Sequence, residues 1–524
     1  MRRLGSALVG LAALAMYLAF CPPVSGTGDS SEFTLVLATN GVAHPTGYPL
    51  YTLLGHVFCV LVHGMGASWP FAANAWSAVG GALAVTFLHA LGTELIDDAP
   101  SIGRATRLLA PLLPVVPFAL QPVVMDGATT AEVNVWSVAW ACGAAYVLVR
   151  LLRLIAGAGG SLSPRLTRAA ALWGLVCGAG AAHHATSVLI AGPFSAGLLA
   201  ALAKRRLISV RLILVAVAAA LLPISTYGIL AWRAWHPALV QWPSLGPSLE
   251  SVLDHVTGHS YRFFLGYFAP GPGNLLGRAV YPFLVPGLAL LLLGALRAKA
   301  WDRRIAWWML LAAALTVTAF AFRYGVPDPE PYFLPPIALG VAAAGPAAAS
   351  VAGARFMNRA LRLGACALAL LAIVVLAVPW CKEAAGVRRE AIDYEALIRS
   401  MWSSIPADTA IVFWRDDRVV RLREYQILRG EKPALYVETP DVLIDDRTRR
   451  AFYRRFGFDP LQGLTVPVIL PNTPNADEIS ARFVRRLIEN VNEQTRIPVI
   501  QFDPGVPIVR QLYKPWERAP NRGG

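Results

Sequence analysis

Charge is scarce in this 524-residue chain: Asp, Glu, Lys and Arg make up 15% of it, against 56% hydrophobic residues, and mean hydropathy is +0.51. Soluble domains carry about 25% charge, so that class is excluded and a polytopic membrane protein is expected. Acids are scarcer than bases, and the net charge is +14. The basic residues mostly form short groups between apolar runs, which is how topology signals are placed, so nucleic acid is not an expected partner. Cysteine is also sparse. Of six, Cys59, Cys142, Cys177 and Cys366 lie in apolar runs, and no CxxC site or disulfide framework is visible. Cys21 and Cys381 both fall near the expected outer face, where a bridge between them is open but not required. No GxxxxGK[ST] cradle is present, which argues against an ATP-driven pump. The apolar runs hold few of the charges that proton relays use, and no internal repeat of the kind secondary transporters carry is evident.

What is present is a series of apolar runs. Residues 1–20 open with Arg2 and Arg3 and read as an uncleaved first span with a cytoplasmic N-terminus, because CPPVSG offers no clean small-x-small cleavage site. Further runs at about 70–93, 105–124, 133–152, 169–184, 186–203, 208–231, 281–298, 305–323, 332–351 and 362–380 bring the expectation to about eleven crossings. Residues 52–64 are too short to cross and fit a helix lying at the membrane surface. The positive-inside rule puts Arg104 and Arg107, Arg150 to Arg168, Lys204 to Arg206, Arg297 to Arg304, and Arg355 to Arg362 on one face. The acids Asp29, Glu32, Asp126, Glu132, Asp328 and Glu330 then share the other face with the long loop 232–280. From Cys381 the composition turns soluble. The runs 410–414, 434–437, 466–470 and 498–502 alternate with helical patterns near 392–404, 418–429, 445–456 and 476–493, as in a small α/β domain. KPWERAPNRGG is expected to be a disordered tail. The expected architecture is therefore mainly α: a membrane domain over 1–380, with an outer loop at 23–69, and an extracytoplasmic α/β domain over 381–524.

The stretch GDSSEFTLVLATNGVAHPTGYPLY, residues 28–51, is out of character for membrane anchoring. Asp29 and Glu32, three apart, share a helical face. Either they form a capping box, with Asp29 as N-cap, Glu32 reaching back and Gly41 just past the helix end, or they form a site that also carries His44 and Tyr48. Three more groups fall on the same face. Asp126 and Glu132 in MDGATTAEVNVW read either as helix-start chemistry capped by Thr130 or as site acids. His183 and His184 are adjacent and cannot share a helical face, so they are structural donors or ligands for a phosphate or sugar hydroxyl. The 232–280 loop, dense in aromatics, brings Tyr261 for sugar stacking and Arg262 for phosphate.

The segments GDSSEF and GVAHPTGYPLYTLLGHVF resemble the N-terminal signature of the membrane family catalogued as domain-of-unknown-function 2723, whose eukaryotic relatives are protein O-mannosyltransferases. The resemblance continues through TTAEVNVWSV, GLVCGAGAAHHAT, WPSLGPSLESVLDHVTGHSY, PDPEPYFLPP and AIVFWRDDRVVRLREYQ. It implies the C-type glycosyltransferase fold, a polyprenyl-phosphate sugar as donor, and a catalytic carboxylate in the first outer loop. By matching position that acid is Asp29, with Glu32 beside it and Glu132 as the second-loop acid; Asp416 and Asp417 would face the acceptor. The implied reaction is an inverting sugar transfer, of mannose in the eukaryotic relatives, to a hydroxyl on a protein Ser/Thr or a glycan at the outer face of the cell membrane. No cofactor is implied, since side chains suffice for a one-phosphate leaving group, and a divalent metal is left open. The rival reading is a transporter or flippase of lipid-linked sugars that recognises the same substrate without turning it over.

Overall fold

The computed structural model describes residues 2–502 apart from 97–102, 159–162, 244, 267–275, 327, 353–358, 406–408, 416–417 and 469–472. The expected acceptor-side acids Asp416 and Asp417, and the C-terminal tail, lie outside the described residues. The chain is mainly helical. It opens with α1 (Arg2–Phe20), α2 (Ser30–Thr39), α3 (Pro49–Gly64), α4 (Trp69–Leu95), α5 (Arg104–Leu109), α6 (Leu112–Leu120), α7 (Pro122–Thr129) and α8 (Asn134–Ala156). Among the described residues eight helices are long and apolar enough to cross a membrane, and a ninth crossing is made if one bent pair is counted. This is a multi-pass membrane protein.

The count differs from the eleven expected for identifiable reasons. Of residues 169–184 all but His184 are helical, within Pro164–His183, but that helix is not among the eight. Residues 362–380 belong to a 46-residue helix, Arg359–Ser404, that continues past position 381 toward the sheet-bearing part of the chain. The boundary expected at 380/381 is thus crossed by one unbroken helix. The run at 105–124 is not straight. It bends by 67° between Leu120 and Pro122, because Pro122 has no amide hydrogen to donate and holds Gln121 in the extended region at ψ 146°. The bend makes α7 a separate short helix, and α7 carries Asp126.

α4 and α8 run side by side in the same direction, and they separate two kinds of ionic group. At one end the backbone of Glu132, just before α8, exchanges hydrogen bonds with the Ser77 hydroxyl of α4 at 2.9 and 3.0 Å. At the other, Arg153 and Arg150 of α8 meet Glu94 of α4, Arg150 at 3.7 Å. Seventeen residues of α4 separate the two levels, about 25 Å at 1.5 Å per residue. The space beside Glu94 and Arg153 amounts to about 10 Å³, enough for a water and no more.

Past the membrane helices, β1 (Ile411–Trp414), β2 (Tyr436–Glu438) and β3 (Val499–Phe502) form a parallel sheet in the order β2-β1-β3. The helices Arg418–Arg429, Asp446–Phe456 and Ala476–Gln494 accompany it. Residues 466–468, read as the start of a strand, form none. The described cysteines, Cys21 and Cys381 included, are free thiols.

Candidate functional site

The loop that follows α1 is built around an ion group. Asp29 occupies the N-cap position of α2, yet its side chain makes no cap hydrogen bond. Glu32 does not reach back to the helix start either. Its Oε1 accepts from the His44 backbone amide at 2.6 Å, and both carboxylate oxygens lie 3.2 Å from His44 Nδ1. The capping-box reading is therefore corrected: Glu32 is occupied by the imidazole. At the far end Asn40 takes the left-handed conformation and Gly41 follows it, its amide bonding to the Val36 carbonyl.

His44 is held from every side. Its Nε2 lies 3.0 Å from the Tyr48 hydroxyl, which in turn donates to the Pro45 carbonyl at 3.4 Å, and 3.9 Å from Asp29 Oδ2. Phe33, Trp242 and Tyr261 surround the ring at 5.5 to 6.1 Å between centroids. Burial by itself would push the imidazole down, but Glu32, then Asp29 and Glu132, pull it up to about 9. His44 is therefore a cation at neutral pH and donates from both nitrogens, to Glu32 and to the Tyr48 oxygen. Tyr48 itself sits at φ 45°, in the left-handed region, at the start of α3.

The 40–48 loop is fixed in place by the long loop that follows Trp235. Val42 and Val240/Trp242 exchange backbone hydrogen bonds at 3.0 and 3.1 Å. Gly41 is required at this approach, since a Cβ there would lie 2.5 Å from the Val240 carbonyl oxygen.

These elements enclose a cavity of about 740 Å³, within the range of ligand sites. Asp29, His44, Tyr48, Glu132, His184, Tyr261 and Arg262 all line it. Glu32 stands behind His44. His183 does not reach the cavity: its Nε2 is 3.2 Å from the Ser137 hydroxyl, and it lines a neighbouring space of about 20 Å³. His184 Nδ1 accepts from the Thr186 amide at 3.2 Å, which leaves the ring's proton on Nε2. The Asp29 side chain is 56% exposed, and that exposure is to the cavity. Burial of the site, then Glu32 and Asp328 against the pull of His44, raises its carboxyl above the usual range. Glu132 is raised far more, by burial and by Asp29 and Asp126.

Asp126 and Asp328 also line the cavity, as do Tyr324 and Tyr332, whose rings meet edge to face at 5.1 Å. Asp126 lies inside α7, and Thr130 is the C-cap of that helix, not the N-cap of the next. Sequence reasoning did not assign the two tyrosines. Tyr332 had a signal in the aromatic pair YF directly after the acidic, proline-rich PDPEP, whereas Tyr324 lies before that motif and had none. Arg262 is the one Arg or Lys on the cavity wall among the described residues.

Asp29, Glu32 and His44 offer three donor atoms within 4.8 Å of one another, close enough for a metal ion. Both nitrogens of His44 are already engaged, however, Nδ1 by Glu32 and Nε2 by the Tyr48 hydroxyl, and an ion binding there would have to displace the imidazole proton. The arrangement fits a hydrogen-bonded ion triad better than a coordination sphere.

Residues 29–208 match the family model described as the protein O-mannosyl-transferase TMEM260 N-terminal domain. The matched segment starts at Asp29 and takes in Glu32, His44, Tyr48, Asp126, Glu132 and the histidine pair. Protein O-mannosyl-transferase tmem260 of Dictyostelium discoideum is 38% identical over 68 residues, 13% of this chain and 8% of that protein. The match thus spans about 8% of the length of that curated relative. Among solved structures, ArnT from Cupriavidus metallidurans bound to undecaprenyl phosphate aligns with 88% of this chain and 95% of its own, at 11% identity and a TM-score of 0.46.

Proposed function

We propose that this protein is a membrane glycosyltransferase that moves a sugar from a polyprenyl-phosphate donor to a hydroxyl acceptor at the outer face of the membrane. The observation that carries the reading is the cavity at one end of the apolar helices, with a raised, cavity-facing Asp29 carboxylate on the same wall as Arg262 and His184. The family match over residues 29–208 supports mannose as the sugar and a protein hydroxyl as the acceptor.

In the proposed step the acceptor oxygen attacks the anomeric carbon as the bond from that carbon to the phosphate oxygen breaks, inverting the centre. The hydroxyl proton passes to Asp29, and the electron pair of the broken bond leaves with the phosphate. Positioned proton transfer of this kind is worth about 10²- to 10⁴-fold, and it works best when the base lies near the working pH. The elevation of Asp29 moves it in that direction. Arg262 offsets the charge of the departing phosphate, and the Nε2–H of His184 donates a hydrogen bond to it. Glu32 acts through His44, keeping it charged and keeping Asp29 beside a cation. Tyr261, Tyr324 and Tyr332 offer aromatic faces for the sugar.

The test uses purified full-length protein with dolichyl- or undecaprenyl-phosphate mannose and an acceptor peptide rich in Ser and Thr. Wild type is expected to consume donor and yield a mannosylated product, and Asp29→Asn to lose about 10²- to 10⁴-fold in turnover while still binding donor. Full activity in Asp29→Asn would remove its assigned role. Donor that crosses the bilayer unconsumed would favour a flippase.

A further inference from the structure

The segment from Cys21 to Gly28 leads into the Asp29 position without forming a helix or strand. Backbone polar groups in such a segment need partners, and here side chains supply them one after another. Arg388 donates to the Cys21 carbonyl at 3.3 Å, and Asn74 to those of Pro22 and Val24 at 3.0 and 2.9 Å. Ser68 donates to Pro23 at 2.8 Å. The next two carbonyls, Ser25 and Gly26, both accept from Nη2 of Arg421, at 2.7 and 2.6 Å.

Arg421 lies on the helix Arg418–Arg429, which belongs to the outer sheet domain, almost 400 residues along the chain. Its side chain is 3% exposed. Besides the two carbonyls, Nε donates to the Ser31 hydroxyl at 2.8 Å and Nη1 to Glu395 at 2.7 Å. One planar fork thus grips the chain on both sides of Asp29. Glu424, one turn further along, accepts from the Ser25 hydroxyl at 2.8 Å, and that hydroxyl also meets Thr34 of α2 at 2.9 Å. Around this polar centre Val420, Ile427 and Leu428 pack on the cluster containing Phe33, Leu35 and Val36. The held segment also touches the second acid-bearing loop, because a Cβ on Gly26 would come within 2.8 Å of Thr130.

We infer that the outer domain completes the candidate site, with Arg421 as a positioning residue that sets the Asp29 carboxylate through the 25–31 segment. Apolar contacts would suffice to dock a domain. Burying a guanidinium is costly unless it is paired and fully hydrogen-bonded; Glu395 supplies the paired charge, and the other three bonds go to the segment that carries the acid, two to its backbone and one to the Ser31 hydroxyl. Lysine cannot reproduce a planar fork serving four acceptors.

The kinetic arm of the test rests on the transferase reading; the structural arm does not. Full-length wild type, Arg421→Lys and Arg421→Gln are compared in lipid nanodiscs with Phe452→Leu, a change in the buried cluster on the far side of the sheet. Misplacing a reacting group by about 1 Å costs about 10²-fold, so Arg421→Lys is expected to lower kcat about 10- to 100-fold with donor KM within about 3-fold. Hydrogen exchange across residues 24–31 should rise by about 10-fold or more in both Arg421 variants. Phe452→Leu should lower thermal stability and leave both readouts unchanged. The inference is overturned if Arg421→Lys keeps wild-type kcat and exchange, or if Phe452→Leu at equal loss of stability reproduces the same kcat loss. If wild type transfers no sugar, the exchange measurement decides alone: unchanged protection at 24–31 overturns the inference, and selective deprotection there sustains it.

Discussion

Replacing His44 by Gln removes the one cation that stands between Asp29 and Glu32. The His44 Nε2 to Asp29 Oδ2 separation is 3.9 Å. At an effective dielectric of about 20 the pair is worth about 4 kcal/mol, and in bulk water about 1. Because the Asp29 side chain is 56% exposed to the cavity, the lower part of that range applies, about 1–2 kcal/mol. At 1.36 kcal/mol per pH unit, the Asp29 carboxyl should rise by about one unit in the variant. The acid limb of kcat/KM against pH should therefore move up by about one unit, measured by mannose transfer across the range from about pH 4 to 9. Stability supplies a second readout with its own sign. Folding raises His44 from its ordinary 6.5 to about 9. Its contribution, about 3 kcal/mol, is thus fully present below pH 6.5 and lost as pH rises through about 9. Wild-type thermal stability should fall across that window, and His44→Gln should lack the fall. An unmoved acid limb together with a wild-type stability slope in the variant would refute the ion triad.

Two further outcomes test the loop and its chemistry. Gly41→Ala would bring a Cβ to 2.5 Å from the Val240 carbonyl oxygen, so it should lower stability by about 1–3 kcal/mol in thermal unfolding and weaken the pairing of the two outer loops. Chelation by EDTA at pH 7 should leave transfer within about 2-fold, because a protonated His44 is a poor metal ligand; abolition of activity, restored by a divalent ion, would mean that the triad is a coordination site.

The parts of the fold that follow from local composition could be read directly from the chain. Each of the eleven expected spans is helical in the structure, because a long apolar run must satisfy its backbone internally. What a run's length cannot say is whether the helix stays straight. The 67° bend comes from Pro122 and the packing around it, and the sequence reading took the segment through it without a break. Helix-capping rules misassigned Glu32 and Thr130 because they weigh only neighbours in sequence. His44, twelve residues away, competed for Glu32, and the break before Asn134 made Thr130 the end of α7 instead of the start of α8.

The limits of local reading also explain why Arg421 was invisible. In AIVFWRDDRVVRLREYQ its spacing marks it as one of several arginines on an amphipathic helix, and an exposed salt bridge is the ordinary expectation there. Its significance depends on a segment almost 400 residues earlier that has no secondary structure to satisfy its carbonyls. The same segment carries Asp29 at its end, and local reading offers no partner for it either. A chain that leaves its acid-bearing loop irregular must brace it from elsewhere. Here the bracing comes from the start of α4 on one side and from the helix Arg418–Arg429 beside the sheet on the other. Loosening either brace should therefore disturb Asp29 before it disturbs the membrane helices, whose main core takes in only Cys21 of that segment.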